Sequence, residues 1–134
     1  MDEGRWTILM ARTQQPVATH AHMARSWWSR MRGLLGRRTL PSGEALMIPR
    51  CRSIHTCGMQ FPIDAVFVDR ALRVVALRRG LRPWRIVPPV WKAWGVVEVA
   101  VGSLDRLHLT VGDQLTLVSA RHSNKLLTDS HTVR

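Results

Sequence analysis

Apolar and polar positions along this chain change period several times, and each change predicts an element. Arg5 to Ala18 alternates weakly, the period-two pattern of a strand with one covered face. Trp27, Trp28, Met31, Leu34 and Leu35 then recur at three- and four-residue spacing, which predicts a short amphipathic helix. Ser26 suits its N-cap, and Gly33 or Gly36 its end. Leu40 to Glu44, with its Pro-Ser-Gly, is a turn, and Ala45 to Ile48 a short buried strand. Ile63 to Val68 is rich in β-branched and aromatic residues. Leu72 to Leu77 follows after the turn Asp69-Arg70-Ala71, so residues 63–77 predict a hairpin.

Arg82 to Trp94 breaks the pattern. It holds Pro83, Pro88 and Pro89 together with Trp84, Trp91 and Trp94. Proline removes ladder donors, so this stretch predicts an extended surface arm with aromatic anchors. Gly95 to Gly102 is a strand bounded by glycines, Leu104 to Leu109 a helical turn or short strand, and Leu115 to Ser119 a last strand after the turn Val111-Gly112-Asp113-Gln114. Residues 121–134 are polar with little pattern and read as a disordered tail.

Many short strands and frequent Gly/Pro breaks with one clear helix give a mainly β (α+β) fold. The natural closure is a small barrel or strongly bent antiparallel sheet carrying one short helix in its N-terminal third. With 134 residues the chain is long enough for one core, and residues 1–120 are read as a single domain, expected to be a monomer. No stretch approaches the roughly 18 apolar residues of a membrane span. The start Met1-Asp2-Glu3-Gly4-Arg5-Trp6 lacks the pattern of an export signal. Two cysteines do not make a disulfide scaffold. Extended chain would hold Cys51 and Cys57 roughly 20 Å apart, too far to bridge. These features together suit a reducing, cytoplasmic setting.

Net charge is +11, with 18 Arg against 2 Lys. Such a surface makes nucleic acid a possible partner, although the arginines are spread along the whole chain rather than gathered in one block.

Candidate chemistry concentrates in Cys51-Arg52-Ser53-Ile54-His55-Thr56-Cys57-Gly58-Met59. If the run is extended, Cys51, Ser53, His55, Cys57 and Met59 share one face. His, Cys and Met are ligand types for zinc or copper, and His20-Ala21-His22 is the other histidine pair in suitable alternation. The spacing matches no zinc motif, and no cofactor is called for. His55 beside Cys57 also admits a thiol nucleophile. Against both stands ordinary packing: free Cys and Met fill cores, and His55 can be a hydrogen-bonded structural histidine. Asp64 and Glu98 each stand alone in an apolar run, so each faces solvent or is buried with a partner. Arg37 and Arg38 are the first candidate partners for Asp64. No group of acids is brought together by spacing alone, so catalysis is not the favoured role.

The ordered motifs Arg32-Gly33-Leu34-Leu35-Gly36-Arg37, Ser53 to Met59, Phe61 to Asp69, Val97 to Gly102 and Val111-Gly112-Asp113 are familiar as a set. Over about residues 5–119 the chain resembles domain-of-unknown-function family 192, small uncharacterised bacterial and archaeal proteins, in its histidine-containing branch. The resemblance implies a compact β domain with a helix in its N-terminal third. It places Gly33, Arg37, Met59, Asp64, Phe67, Glu98, Gly102, Gly112 and Asp113 at the family's pattern positions, and it supplies no reaction. The expectation is therefore a binding module whose pocket or groove draws on Arg37, His55, Cys57, Met59, Asp64 and Glu98 for a ligand or protein partner. A metal or thiol site at His55 and Cys57, and nucleic-acid binding, are the alternatives.

Overall fold

Strands rich in Val, Ile and Ala account for most of the chain's regular structure. The structure is a computed structural model and describes residues 6–25, 34 and 36–119. Seven strands are β1 (Trp6–Met10), β2 (Pro16–Met23), β3 (Glu44–Pro49), β4 (Ile63–Val68), β5 (Val74–Leu81), β6 (Gly95–Ala100) and β7 (Leu115–Ser119). They form a single sheet in the order β5-β4-β6-β3-β2-β1-β7, curled into a half-barrel. A short helix, α1 (Ser103–Leu107), follows β6. The mainly β fold expected from the pattern is what forms. The predicted helix near residues 26–35 and the expected tail over 121–134 lie outside the described residues, apart from Leu34, which is helical and buried.

Two sequence expectations are refined. The weakly alternating start contains two strands, because Ala11 to Gln15 turns without any glycine. Gln14 takes φ +60° and its N–H donates to Met10 O at 2.8 Å. β2 then runs parallel to β3, with His20 beside Glu44 and Met23 beside Met47. The long connection between Met23 and Glu44 permits this; a tight hairpin does not.

Central strands β3, β4 and β6 are covered on both faces, which is why they read as continuous apolar runs rather than alternating ones. On one face Met47, Val66, Val68, Val97 and Val99 pack with Ile8, Met10 and α1 residues Leu104 and Leu107. On the other face Leu46, Ile48, Ala65, Phe67 and Val96 pack under Leu34, Ile54, Met59, Phe61, Val87 and Ala93. The half-barrel draws together at one corner. There Leu72 to Val74 meets the segment before β7, through Val74 N–H to Asp113 O at 2.8 Å and Leu115 N–H to Leu72 O at 3.0 Å.

Candidate functional site

Residues 51–57 and the proline-rich arm 82–94 form a two-stranded ribbon across the second face. Its rungs are irregular because Pro83, Pro88 and Pro89 have no N–H to give. Cys51 N–H donates to Trp94 O at 2.9 Å, Val90 N–H to Arg52 O at 2.8 Å, Val87 N–H to Ile54 O at 2.9 Å and Thr56 N–H to Arg85 O at 2.8 Å. Thr56 is fully buried and fastens the far end. Its hydroxyl donates to Arg82 O at 2.6 Å and accepts from Arg85 N–H at 2.9 Å. The run stays extended only to Thr56; Cys57-Gly58 is a turn, with Gly58 at φ +86°.

Beside this ribbon lies a cleft of about 960 Å³. Cys51, Ser53, His55 and Cys57 all line it, so the face-sharing expected of the extended run is realised up to the turn. The turn sends Met59 elsewhere: it is buried at 3 % exposure in the core of the second face and is absent from the cleft wall. Both thiols are partly buried and unbridged. The Cys51 thiol donates to Ser53 O at 2.9 Å. Cys57 N–H donates to His55 Nδ1 at 3.3 Å, which places the proton of the neutral ring on Nε2.

The opposite wall was not legible in the sequence. Met23, Ile48 and Trp94 supply an apolar surface, while Arg25 and Arg50 supply cations. Arg50 sits at φ +54°, a left-handed conformation that costs a non-glycine residue about 1 kcal/mol or more. No local signal separates Arg25 or Arg50 from the other arginines; the parallel β2–β3 pairing puts them at the same end of the sheet. Among the described residues lining the cleft there is no Asp or Glu.

Of the acids expected at the site, Asp64 is placed elsewhere. Asp64 is buried on the first face, and its partners are not Arg37 or Arg38 but three backbone N–H groups. Gly80 donates to Oδ1 at 2.8 Å; Gly102 and Leu104 donate to Oδ2 at 3.0 and 3.1 Å. A bulge in the β4–β5 ladder at this point frees the Gly80 donor. The Gly102 and Leu104 donors belong to the start of α1, which has no side-chain cap of its own. Arg37 pairs with Glu44 at 3.1 Å, at the end of β3 away from Ile48. Glu98 is fully buried in β6 and, by alternation with Val97 and Val99, points to the face opposite Asp64. Arg37 and Asp64 therefore do not converge with His55 and Cys57, whereas Glu98 points to the face that the ribbon covers.

His20 and His22 are also apart from the cleft wall; His20 Nδ1 meets Thr19 Oγ1 at 3.0 Å. Among the described residues no three His, Cys, Asp or Glu side chains gather as a metal site would require. Asp113 is held below the ordinary carboxylate range, first by its hydrogen bonds from Arg12 at 3.1 and 3.3 Å. That pair sits at the corner where the half-barrel draws together, so it reads as a fastening of that corner.

A family model described as an uncharacterised ACR, domain-of-unknown-function family 192, matches residues 8–117. The chain belongs to this family. A UPF0127 protein of Thermococcus sibiricus is 31 % identical over 113 residues, covering 81 % of this chain and 73 % of that one. The fold also matches a solved structure of a protein of unknown function from Novosphingobium aromaticivorans, with TM-score 0.70, 20 % identity, and coverage of 84 % and 83 % of the two chains. A second solved structure, a candidate transcription regulator from Sinorhizobium meliloti, gives TM-score 0.68, 18 % identity, and coverage of 87 % and 92 %. At these identities the two structures establish a shared fold and nothing of its chemistry.

Proposed function

We propose that this family-192 protein is a binding module without catalytic chemistry, and that its ligand is a small amphipathic anion held in the cleft between the β2–β3 end and the His55 ribbon. The observation that carries this reading is the composition of the cleft wall. Its volume, about 960 Å³, suits a drug-sized molecule. Met23, Ile48, Ile54 and Trp94 would cover an apolar body, while Arg25, Arg50 and the His55 ring would meet a carboxylate, sulfonate or phosphate. No acid on the described wall would oppose an anion or act as a general base. Asp64, the acid most exposed to suspicion in the sequence, is engaged by three backbone donors and lies on the other face.

The test uses two probes with related apolar bodies, the anionic 1-anilinonaphthalene-8-sulfonate and the neutral N-phenyl-1-naphthylamine, read by fluorescence titration. Arg50→Ser is expected to weaken the anionic probe about tenfold, the loss of one charge-assisted hydrogen bond, and to leave the neutral probe within twofold. Near-UV circular dichroism checks that the variant keeps its packed core. Equal loss for both probes, or no saturable binding of the anion by the unaltered protein, would sink the reading and return attention to thiol chemistry at Cys57.

A further inference from the structure

The arm that walls the cleft also turns its largest apolar side chains outward. Trp84, Ile86 and Trp91 are 69, 78 and 74 % exposed. Of the aromatic anchors expected of the arm, Trp94 holds it down together with Val87 and Ala93, while Trp84 and Trp91 do not. Exposing three such groups on one short segment forgoes the stabilisation that burial would give each of them. Single exposed hydrophobic residues are ordinary, but three along one short arm are a density that contact surfaces show. The exposure is also fixed by the backbone. Trp84 is locked at φ +64° with its N–H on Thr56 O at 3.1 Å, and the ribbon rungs from Thr56 to Arg52 hold the rest over a span of roughly 13 Å.

Charge narrows the partner. From Arg70 to Val97 the sequence has seven cations, Arg70, Arg73, Arg78, Arg79, Arg82, Arg85 and Lys92, and no acid; Asp69, near Trp91 and Lys92, accepts from the Ala71 and Arg73 amides. Arg82, Arg85 and Lys92 lie on the arm itself and are exposed. Tryptophan beside Arg and Lys is the side-chain set of a membrane interface, where the ring sits at headgroup depth and the cation meets lipid phosphate. Single-stranded nucleic acid would also meet Trp and Arg, but it uses flat side chains on which bases stack. Ile86, the most exposed of the three, cannot stack and suits an acyl boundary.

We infer that the Trp84–Ile86–Trp91 arm docks this protein on the surface of an anionic phospholipid bilayer without spanning it. Ile86 also lines the cleft, so docking would bring the cleft mouth to the lipid surface. This inference stands on the arm and not on the cleft's ligand.

Flotation with vesicles tests it. Vesicles containing 40 % phosphatidylglycerol are expected to carry the protein, and pure phosphatidylcholine vesicles to leave it behind. The variant Trp84→Ser/Ile86→Ser/Trp91→Ser is expected to bind the anionic vesicles at least tenfold more weakly. Should that variant fail to fold by circular dichroism, Arg82→Ser/Arg85→Ser supplies the second reading. At about fivefold per basic residue near an anionic surface, it should bind roughly 25-fold more weakly. Brominated phosphatidylglycerol should quench tryptophan emission of the unaltered protein. Absence of flotation, equal flotation with both lipids, or tight binding of a single-stranded oligonucleotide without flotation would each overturn the inference.

Discussion

Asp64 shows how one carboxylate can hold three elements at once. It sits near the start of β4, accepts the amide freed by the bulge in β5, and closes the N-terminus of α1 in place of a local cap. An acid buried at 1 % exposure inside an apolar strand would ordinarily be costly. Three charge-assisted donors offset that cost, and they explain why an arginine is unnecessary here. Asp64→Ala would leave the three donors without their acceptor, the Leu104 amide in a buried position. At about 1–3 kcal/mol for one buried unsatisfied group, with the Gly80 and Gly102 amides on exposed residues, the expected loss is about 1–3 kcal/mol. Asp64→Asn keeps one carbonyl acceptor and should lose less. Urea unfolding with an unchanged m-value measures both. A loss under about 1 kcal/mol for the alanine variant would show that Asp64 is not the clamp described.

At the level of elements, the ribbon is where sequence and structure part company. Alternation in Cys51 to Cys57 was readable, and it correctly put Cys51, Ser53, His55 and Cys57 on one side. Its continuation to Met59 failed because Gly58 takes a positive φ and turns the chain into the core. The prolines of 82–94 announced an irregular arm, but tryptophan side chains carry no sign of whether they face in or out. Equally, nothing in Asp64's surroundings disclosed that its partners would be main-chain amides 16 to 40 residues away. The β4–β5 hairpin and the strands at β3, β6 and β7 were legible because their apolar runs have lengths and flanking turns that leave little choice. The ribbon makes its own prediction. Thr56→Val removes the hydroxyl that satisfies Arg82 O and Arg85 N–H. Stability should fall by about 1–3 kcal/mol. Hydrogen exchange of the Trp84, Arg85 and Val87 amides should accelerate more than that of β4 and β6, because the ribbon opens before the sheet does. Uniform acceleration across the sheet would mean that the ribbon is not a separable unit.

For the whole molecule the deciding quantity is charge. The chain carries 20 Lys and Arg against 9 Asp and Glu. Among the described residues the pairs Arg12–Asp113, Arg37–Glu44 and Arg79–Asp105 are at 3.1, 3.1 and 3.0 Å. The arginine side chains in these pairs are 39–53 % exposed, so water and salt screen each pair and its contribution is small. However they pair, 20 cations against 9 acids leave the chain at +11, and the repulsion acts between many cations at once. Repulsion is greater in the compact state than in the extended one, so screening it favours folding. The melting temperature should therefore rise by several degrees between 20 and 300 mM sodium chloride. Over this range the Debye length shrinks to below about 10 Å, shorter than most separations between unpaired surface charges. A fall in melting temperature over the same range would mean that the ion pairs outweigh the repulsion. The same screening should release the protein from anionic vesicles, so the two salt responses have opposite signs. A protein that becomes more stable as it leaves the bilayer is one whose excess positive charge serves contact with a partner at the expense of the fold.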